Sequence, residues 1–262
     1  MKTLRTYAGE LRTAAAFLTI LPVESRQEAN IQADRPWLRQ DRPGLGRSAG
    51  WFPWVGAAIG IGAGAVWWLS GLVLPPMLPA VLAVAAWAAL SGGLHLDGLA
   101  DCCDGLLSTA PAERRLEIMR DPRLGTFGAT GLCLVLVAKI AAVYSLPPAS
   151  TVPAMLLAAS TARALLLLAR WQQAARPGGM GEGFTSGLRQ ASVPLAAVPV
   201  IGLCIFLGWT GVMAVLAALL ATLAIFALAR RRIGGVTGDV LGCAVEAGEL
   251  AVLLACNLRL PV

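Results

Sequence analysis

Charged side chains are scarce. They fill 14% of the 262 positions, and a single histidine, His95, is present. A soluble globular domain carries about a quarter charged residues. That shortfall, with a mean hydropathy of +0.70, excludes a disordered chain, a fibrous repeat and an ordinary soluble enzyme. Aromatics are 6% of the chain, and Ala and Leu dominate instead. This argues against the alternating pattern of a transmembrane β-barrel. No Cys-x-x-Cys occurs, and the six cysteines (Cys102, Cys103, Cys133, Cys204, Cys243, Cys256) lie in apolar stretches. They read as small buried hydrophobes.

What is abundant is long apolar sequence. Runs at about 51–73, 79–96 continuing to 109, 124–146, 152–170, 192–208, 211–229 and 238–257 are each long enough to cross a hydrocarbon core about 30 Å thick. The expected fold is an all-α, polytopic integral membrane protein with about seven transmembrane helices. The N-terminus mimics a secretory signal, with Lys2 and Arg5 ahead of an apolar run. Glu10 and Arg12 interrupt it, and no small-x-small cleavage site follows. It reads as a short membrane-associated helix. Residues 1–262 form one membrane-embedded domain in this reading, with 1–50 a cytoplasmic helix and loop and 51–262 the bundle.

The connections alternate. Those at 72–79, 145–153 and 207–211 carry no charge. Those at 1–50, 110–123, 170–190 and 230–232 are rich in arginine. The net charge of +6 sits on these loops and places them in the cytoplasm. It does not call for nucleic acid.

The most informative stretch is Gly92-Gly93-Leu94-His95-Leu96-Asp97-Gly98-Leu99-Ala100-Asp101-Cys102-Cys103-Asp104-Gly105. Asp97, Asp101 and Asp104 stand at i, i+4 and i+7, on one face of a helix. Like charges at membrane depth need a counter-charge, and a bound cation is the simplest one. Oxygen donors without His or Cys at metal spacing point to Mg²⁺ or Mn²⁺. Mg²⁺ held by carboxylates usually also holds phosphate. Gly98 and Gly105 are read as leaving room for a bulky ligand.

The next loop, with Arg120 and Arg123, can clamp phosphate, and Leu124-Gly125-Thr126 opens a helix whose N–H groups favour anions. Lys139 and Arg163 lie inside apolar runs, so each should face a carboxylate or the ligand. A second polar patch opens the last span. Asp239 and Glu246 share a face there, Glu249 lies off it, and the Gly-rich approach suits phosphate or metal. His95 is as readily a packed residue as a general base.

Three motifs now carry a resemblance. They are Gly93-Leu94-His95-Leu96-Asp97-Gly98-Leu99-Ala100-Asp101 with Asp104-Gly105, Leu116-Glu117-Ile118-Met119-Arg120-Asp121-Pro122-Arg123-Leu124-Gly125-Thr126, and Gly235-Val236-Thr237-Gly238-Asp239-Val240-Leu241-Gly242 with Glu246 and Glu249. In this order, with Phe17-Leu18-Thr19-Ile20-Leu21-Pro22-Val23 and with Arg47 ahead of Trp51-Phe52-Pro53-Trp54, the chain resembles the cobalamin synthase (adenosylcobinamide-GDP ribazoletransferase) family.

The resemblance implies a Mg²⁺-dependent, multi-pass enzyme of a bacterial inner membrane with its site near the cytoplasmic face. It implies that adenosylcobinamide-GDP is joined to α-ribazole or its 5′-phosphate, with release of GMP. A ribose hydroxyl would attack the cobinamide-bearing phosphorus. Asp97, Asp101 and Asp104 would hold one or two ions, with Asp239 and Glu246 completing a second site. Asp104 or Glu246, ahead of His95, would take the hydroxyl proton. Arg47, Arg120, Arg123 and Lys139 would hold diphosphate, and Arg163 joins this substrate-binding set. Membrane lipids are the other partner, and homo-oligomerisation is left open. Two rivals stand: a CDP-alcohol phosphotransferase, whose later Gly-x3-Asp-x3-Asp element is absent, and a transporter, against which the acids lie near one membrane face.

Overall fold

The computed structural model describes residues 4–21, 23 and 44–258. Among the described residues, the apolar runs of the sequence map onto eleven longer helices. α1 is Leu4–Leu18. A short turn of helix at Leu45–Ser48 runs into α2, Phe52–Gly71. Then come α3 (Met77–Leu90), α4 (Leu94–Leu106), α5 (Ala112–Ile118), α6 (Thr126–Ser145) and α7 (Pro148–Leu165). α8 (Met180–Gly187), α9 (Val193–Leu207), α10 (Trp209–Ile233) and α11 (Gly238–Ala255) complete the order. Most of the loop at 26–50 lies outside the described residues.

Five helical stretches are long and apolar enough to cross a membrane: Leu45–Gly71, Thr126–Ser145, Pro148–Trp171, Gln190–Leu207 and Trp209–Ile233. The last helix, α11, has the length but carries Asp239, Glu246 and Glu249. The expected run through 79–109 is not one straight span. α3 and α4 meet at 91°. Gly92 and Gly93 make the corner with φ of 63° and 68°, a region that side chains with a Cβ rarely enter. The N–H groups of Gly92 and Gly93 bond back to Ala89 and Ala88, closing α3.

Small residues set the packing. Gly56, Gly60 and Gly64 form a stripe along α2, and a Cβ on each would strike α7 near Ala159, Leu156 or Val152. Helices without a hydrophobic driving force between them associate through such close approach. Between the helices lies a core of Ala, Leu, Val and Phe, including Phe52, Met155, Leu157 and Leu253. Side chains on the outer faces, such as Leu134, Val137, Ile205, Phe206 and Leu220, are apolar and exposed.

α11 begins in a defined way. The Thr237 hydroxyl accepts the N–H of Val240 at 3.2 Å, the ordinary N-cap arrangement. Gly234 closes α10 with φ of 81°. α11 then crosses α4 so tightly that a Cβ on Gly98 would lie 2.7 Å from the carbonyl oxygen of Asp239. On the other side Gly242 faces the Cα of His95.

Candidate active site at the acidic helix crossing

The crossing of α4 and α11 puts carboxylates from both motifs on one wall. Asp97 and Asp101 come from α4, one turn apart, and Asp239 comes from the first turn of α11. They line a cavity of about 680 Å³. The same cavity is lined by cations: Arg120 and Arg123, with Asp121 between them, follow α5, and Arg176 lies on the loop before α8. Gly98 therefore makes room for α11, not for a ligand. Gly105 does the same for Met119, with which a Cβ would collide.

The three arginines differ. Arg120 is exposed on the rim. Arg123 is engaged by Asp121, its Nη2 lying 2.5 Å and its Nε 2.9 Å from the carboxylate. Those hydrogen bonds from Arg123 pull the Asp121 carboxyl down to about 2. Arg176 is half-buried, and its Nη1 is shielded from solvent without a hydrogen-bond partner. Burial, and then the neighbouring Arg120 guanidinium, lower the Arg176 pKa from its ordinary value. A buried, unpaired guanidinium N–H beside a second cation favours an anion. In the sequence Arg176 is one of several arginines in the basic loop at 170–190. The Arg-Pro-Gly-Gly run was its available signal, since a rigid, glycine-rich bend lets backbone and ligand approach closely.

Asp104 lies apart from this wall. Its two carboxylate oxygens accept the N–H groups of Gly125 and Gly128, each at 2.8 Å. The anion at the start of α6 is thus the chain's own side chain. Asp104 lines a neighbouring cleft with Arg114, Glu117 and Asp121. Arg47 is exposed on the short helix before α2 and lines neither cavity. Among the described residues, no three His, Cys, Asp or Glu side chains stand together at the spacing of a single ion.

The second polar patch divides. Asp239 joins the cavity, whereas Glu246 and Glu249 point into the bundle. Lys139 of α6 places its Nζ 2.6 Å from Glu246 and 2.5 Å from Glu249. Arg163 of α7 donates to Glu249 at 2.7 Å and to the carbonyl of Ala159 at 2.9 Å. Trp87 of α3 donates to Glu249 at 3.2 Å, and its ring lies under the Lys139 ammonium. His95 Nδ1 lies 3.4 Å from Arg163. Lys139 and Arg163 face carboxylates, as their apolar surroundings require. Neither lines the cavity, and nor does Glu246. Glu249, set aside on the helical wheel, is the hub of the network.

The arrangement thus has two separate tasks. One is a neutral, buried ion cluster that ties five helices together. The other is a cavity with hard oxygen donors and guanidinium groups, suited to a phosphate ester.

The family model described as cobalamin-5-phosphate synthase matches residues 10–257. The adenosylcobinamide-GDP ribazoletransferase of Klebsiella pneumoniae (strain 342) is 40% identical over 252 residues, covering 92% of this chain and 96% of that protein. No solved structure matches. The acidic crossing, its arginine wall and a match along almost the whole length lead to one assignment: the chain belongs to the cobalamin-5-phosphate synthase family.

Proposed function

We propose that the chain joins adenosylcobinamide-GDP to α-ribazole or its 5′-phosphate, releasing GMP. The observation that carries this is that Asp97, Asp101 and Asp239 line one cavity together with Arg120 and Arg176. Arg176, whose Nη1 lacks a protein partner, would hold a diphosphate oxygen, and Arg120 a second. Fixing the diphosphate places the cobinamide-bearing phosphorus for in-line attack. A ribose hydroxyl of the acceptor forms the new P–O bond while the bond to GMP breaks. Its proton passes to a cavity carboxylate. Asp104 and Glu246 are poor candidates for that step, because two backbone N–H groups hold one and Lys139 the other.

The donor set also suits Mg²⁺. Every carboxylate lining the cavity is a hard oxygen donor, and no His or Cys lines it. One or two of Asp97, Asp101 and Asp239 would hold the ion, leaving positions for phosphate oxygens and water. Bound there, it would neutralise charge developing on the transferred phosphoryl group.

The cavity would face the cytoplasm from a bacterial inner membrane, a reading supported by the arginine-rich loops. The exposed apolar faces of the helices would lie against lipid.

The test is GMP release by the purified chain in detergent. Adenosylcobinamide-GDP plus α-ribazole with Mg²⁺ should give GMP and corrinoid product without any membrane gradient. EDTA should stop the reaction, a CDP-linked donor should not replace the GDP-linked one, and Asp101→Asn should lower turnover by more than ~100-fold while the protein stays folded. Absence of GMP refutes the reaction. Undiminished turnover in EDTA or in Asp101→Asn refutes the metal assignment.

A further inference from the structure

Beneath the acidic crossing lies a second, smaller pocket that the reaction chemistry above leaves unused. It holds about 90 Å³ of open space and shares Asp97, Met180, Gly238 and Asp239 with the main cavity. Its remaining walls are apolar and come from distant parts of the chain: Phe17 of α1, Leu45, Phe52 of α2, Leu166 and Phe184 of α8. The three phenylalanine rings are nearly parallel. Phe17 and Phe52 have centroids 6.0 Å apart at 22°, and Phe52 and Phe184 are 5.7 Å apart at 19°. Aromatic rings prefer offset-stacked or edge-to-face partners, so a wall of this kind favours a planar ring.

One polar group interrupts this lining. His95 is buried and lines the pocket. Its Nδ1 faces Arg163 at 3.4 Å. A guanidinium has no acceptor, so Nδ1 accepts and the proton of the neutral ring sits on Nε2. Among the described residues, the one side-chain hydrogen bond seen at the His95 ring is the one at Nδ1, which leaves Nε2 for a ligand in the pocket. The pocket thus offers one wall of stacked aromatic rings and one N–H donor, next to the carboxylates where a hydroxyl must react.

We infer that this slot seats the planar heteroaromatic base of the acceptor, with the His95 Nε2–H donating to the base's unsubstituted ring nitrogen. The inference rests on the acceptor proposed above and adds where and how its base is read. With the base in the slot, its sugar falls at the shared rim formed by Asp97 and Asp239, facing the diphosphate in the main cavity. His95 is then a binding residue for the base, and it takes no proton from the reaction.

The test is calorimetric titration of the purified full chain with α-ribazole, and with its indole analogue, in the absence of any donor nucleotide. The indole lacks the acceptor nitrogen, so its binding leaves the histidine N–H unpaired. α-Ribazole should bind roughly 10–100-fold more tightly than the indole. His95→Leu should bring the two ligands to equal affinity, and His95→Gln, which keeps a donor, should restore part of the difference. Leu45→Phe, which fills the slot without touching the ion cluster, should weaken both ligands at least ~10-fold and leave adenosylcobinamide-GDP binding unchanged.

Equal affinity for the two ligands in the unaltered chain overturns the inference. So does a Leu45→Phe protein that binds α-ribazole normally, which decides the matter even if His95→Leu fails to fold. A chain that releases GMP but whose α-ribazole affinity ignores both substitutions refutes the slot alone. A chain with the expected affinities that releases no GMP refutes the reaction alone.

Discussion

Replacing Lys139 by Met tests the buried ion cluster directly. The cluster contains two carboxylates, Glu246 and Glu249, and two cations, Lys139 and Arg163, so its formal charge sums to zero. All four are buried. Removing the ammonium leaves one uncompensated negative charge among five helices. Breaking a buried pair from one side costs about 3–5 kcal/mol. At about 2–4 °C per kcal/mol, melting in detergent should fall by ~6–20 °C.

The double variant Lys139→Met, Glu246→Gln restores neutrality while Glu249 keeps Arg163 and Trp87. It should recover most of the loss, because a neutral replacement of a buried pair is often tolerated. Thermal unfolding followed by tryptophan fluorescence reads both. A single variant melting within ~2 °C of the unaltered protein, or a double variant less stable than the single, refutes the charge-balance argument.

Three further outcomes are expected. Gly98→Ala drives a methyl group to 2.7 Å from the Asp239 carbonyl, so overpacking should cost ~1–3 kcal/mol and lower turnover together with the melting temperature; an unaltered melt would show that the crossing is not tight. Asp104→Ala strips the start of α6 of its acceptor for the Gly125 and Gly128 N–H groups and should destabilise by ~0.5–2 kcal/mol, with Asp104→Asn milder; loss of activity with an unchanged melt would instead place Asp104 in the chemistry. The Asp121 carboxyl, held down to about 2 by Arg123, is charged throughout neutral pH. Its contribution is fully present above the ordinary carboxylate range and fades only as pH falls through about 2, so the activity ratio of Asp121→Asn to the unaltered chain should be flat from about pH 5 to about pH 8; a sloping ratio would contradict the pairing.

Much of this was legible in the sequence, where burial dictates composition. The apolar runs became helices, and Lys139 and Arg163 found carboxylates because a lone cation inside an apolar run has few alternatives. The right-angled corner was harder to see. Hydropathy continues straight through it, and only the Gly92-Gly93 pair marks the break. The helical wheel placed Asp97, Asp101 and Asp104 on one stripe but could not show that α6 begins against one end of it. The grouping of Glu246 with Asp239 rather than with Glu249 fails for a related reason. The angles were measured from Asp239, yet the partners of Glu246 and Glu249 come from α3, α6 and α7. A single-helix projection carries no information about neighbouring helices.

A small feature of the loops has a larger consequence. The segment before Arg176 and the segment before Thr237 are laced by backbone alone. Ala175 donates to Val236 at 3.0 Å, and Val236 donates to Gln173 at 2.8 Å. Gly235 lies so close to Gln173 that no side chain fits between them. The spacing between the guanidinium of one loop and the carboxylate of the next is thereby made indifferent to most side-chain replacements in either. Evolution can redraw these loops residue by residue and keep the jaws of the cavity in register, provided the glycine remains.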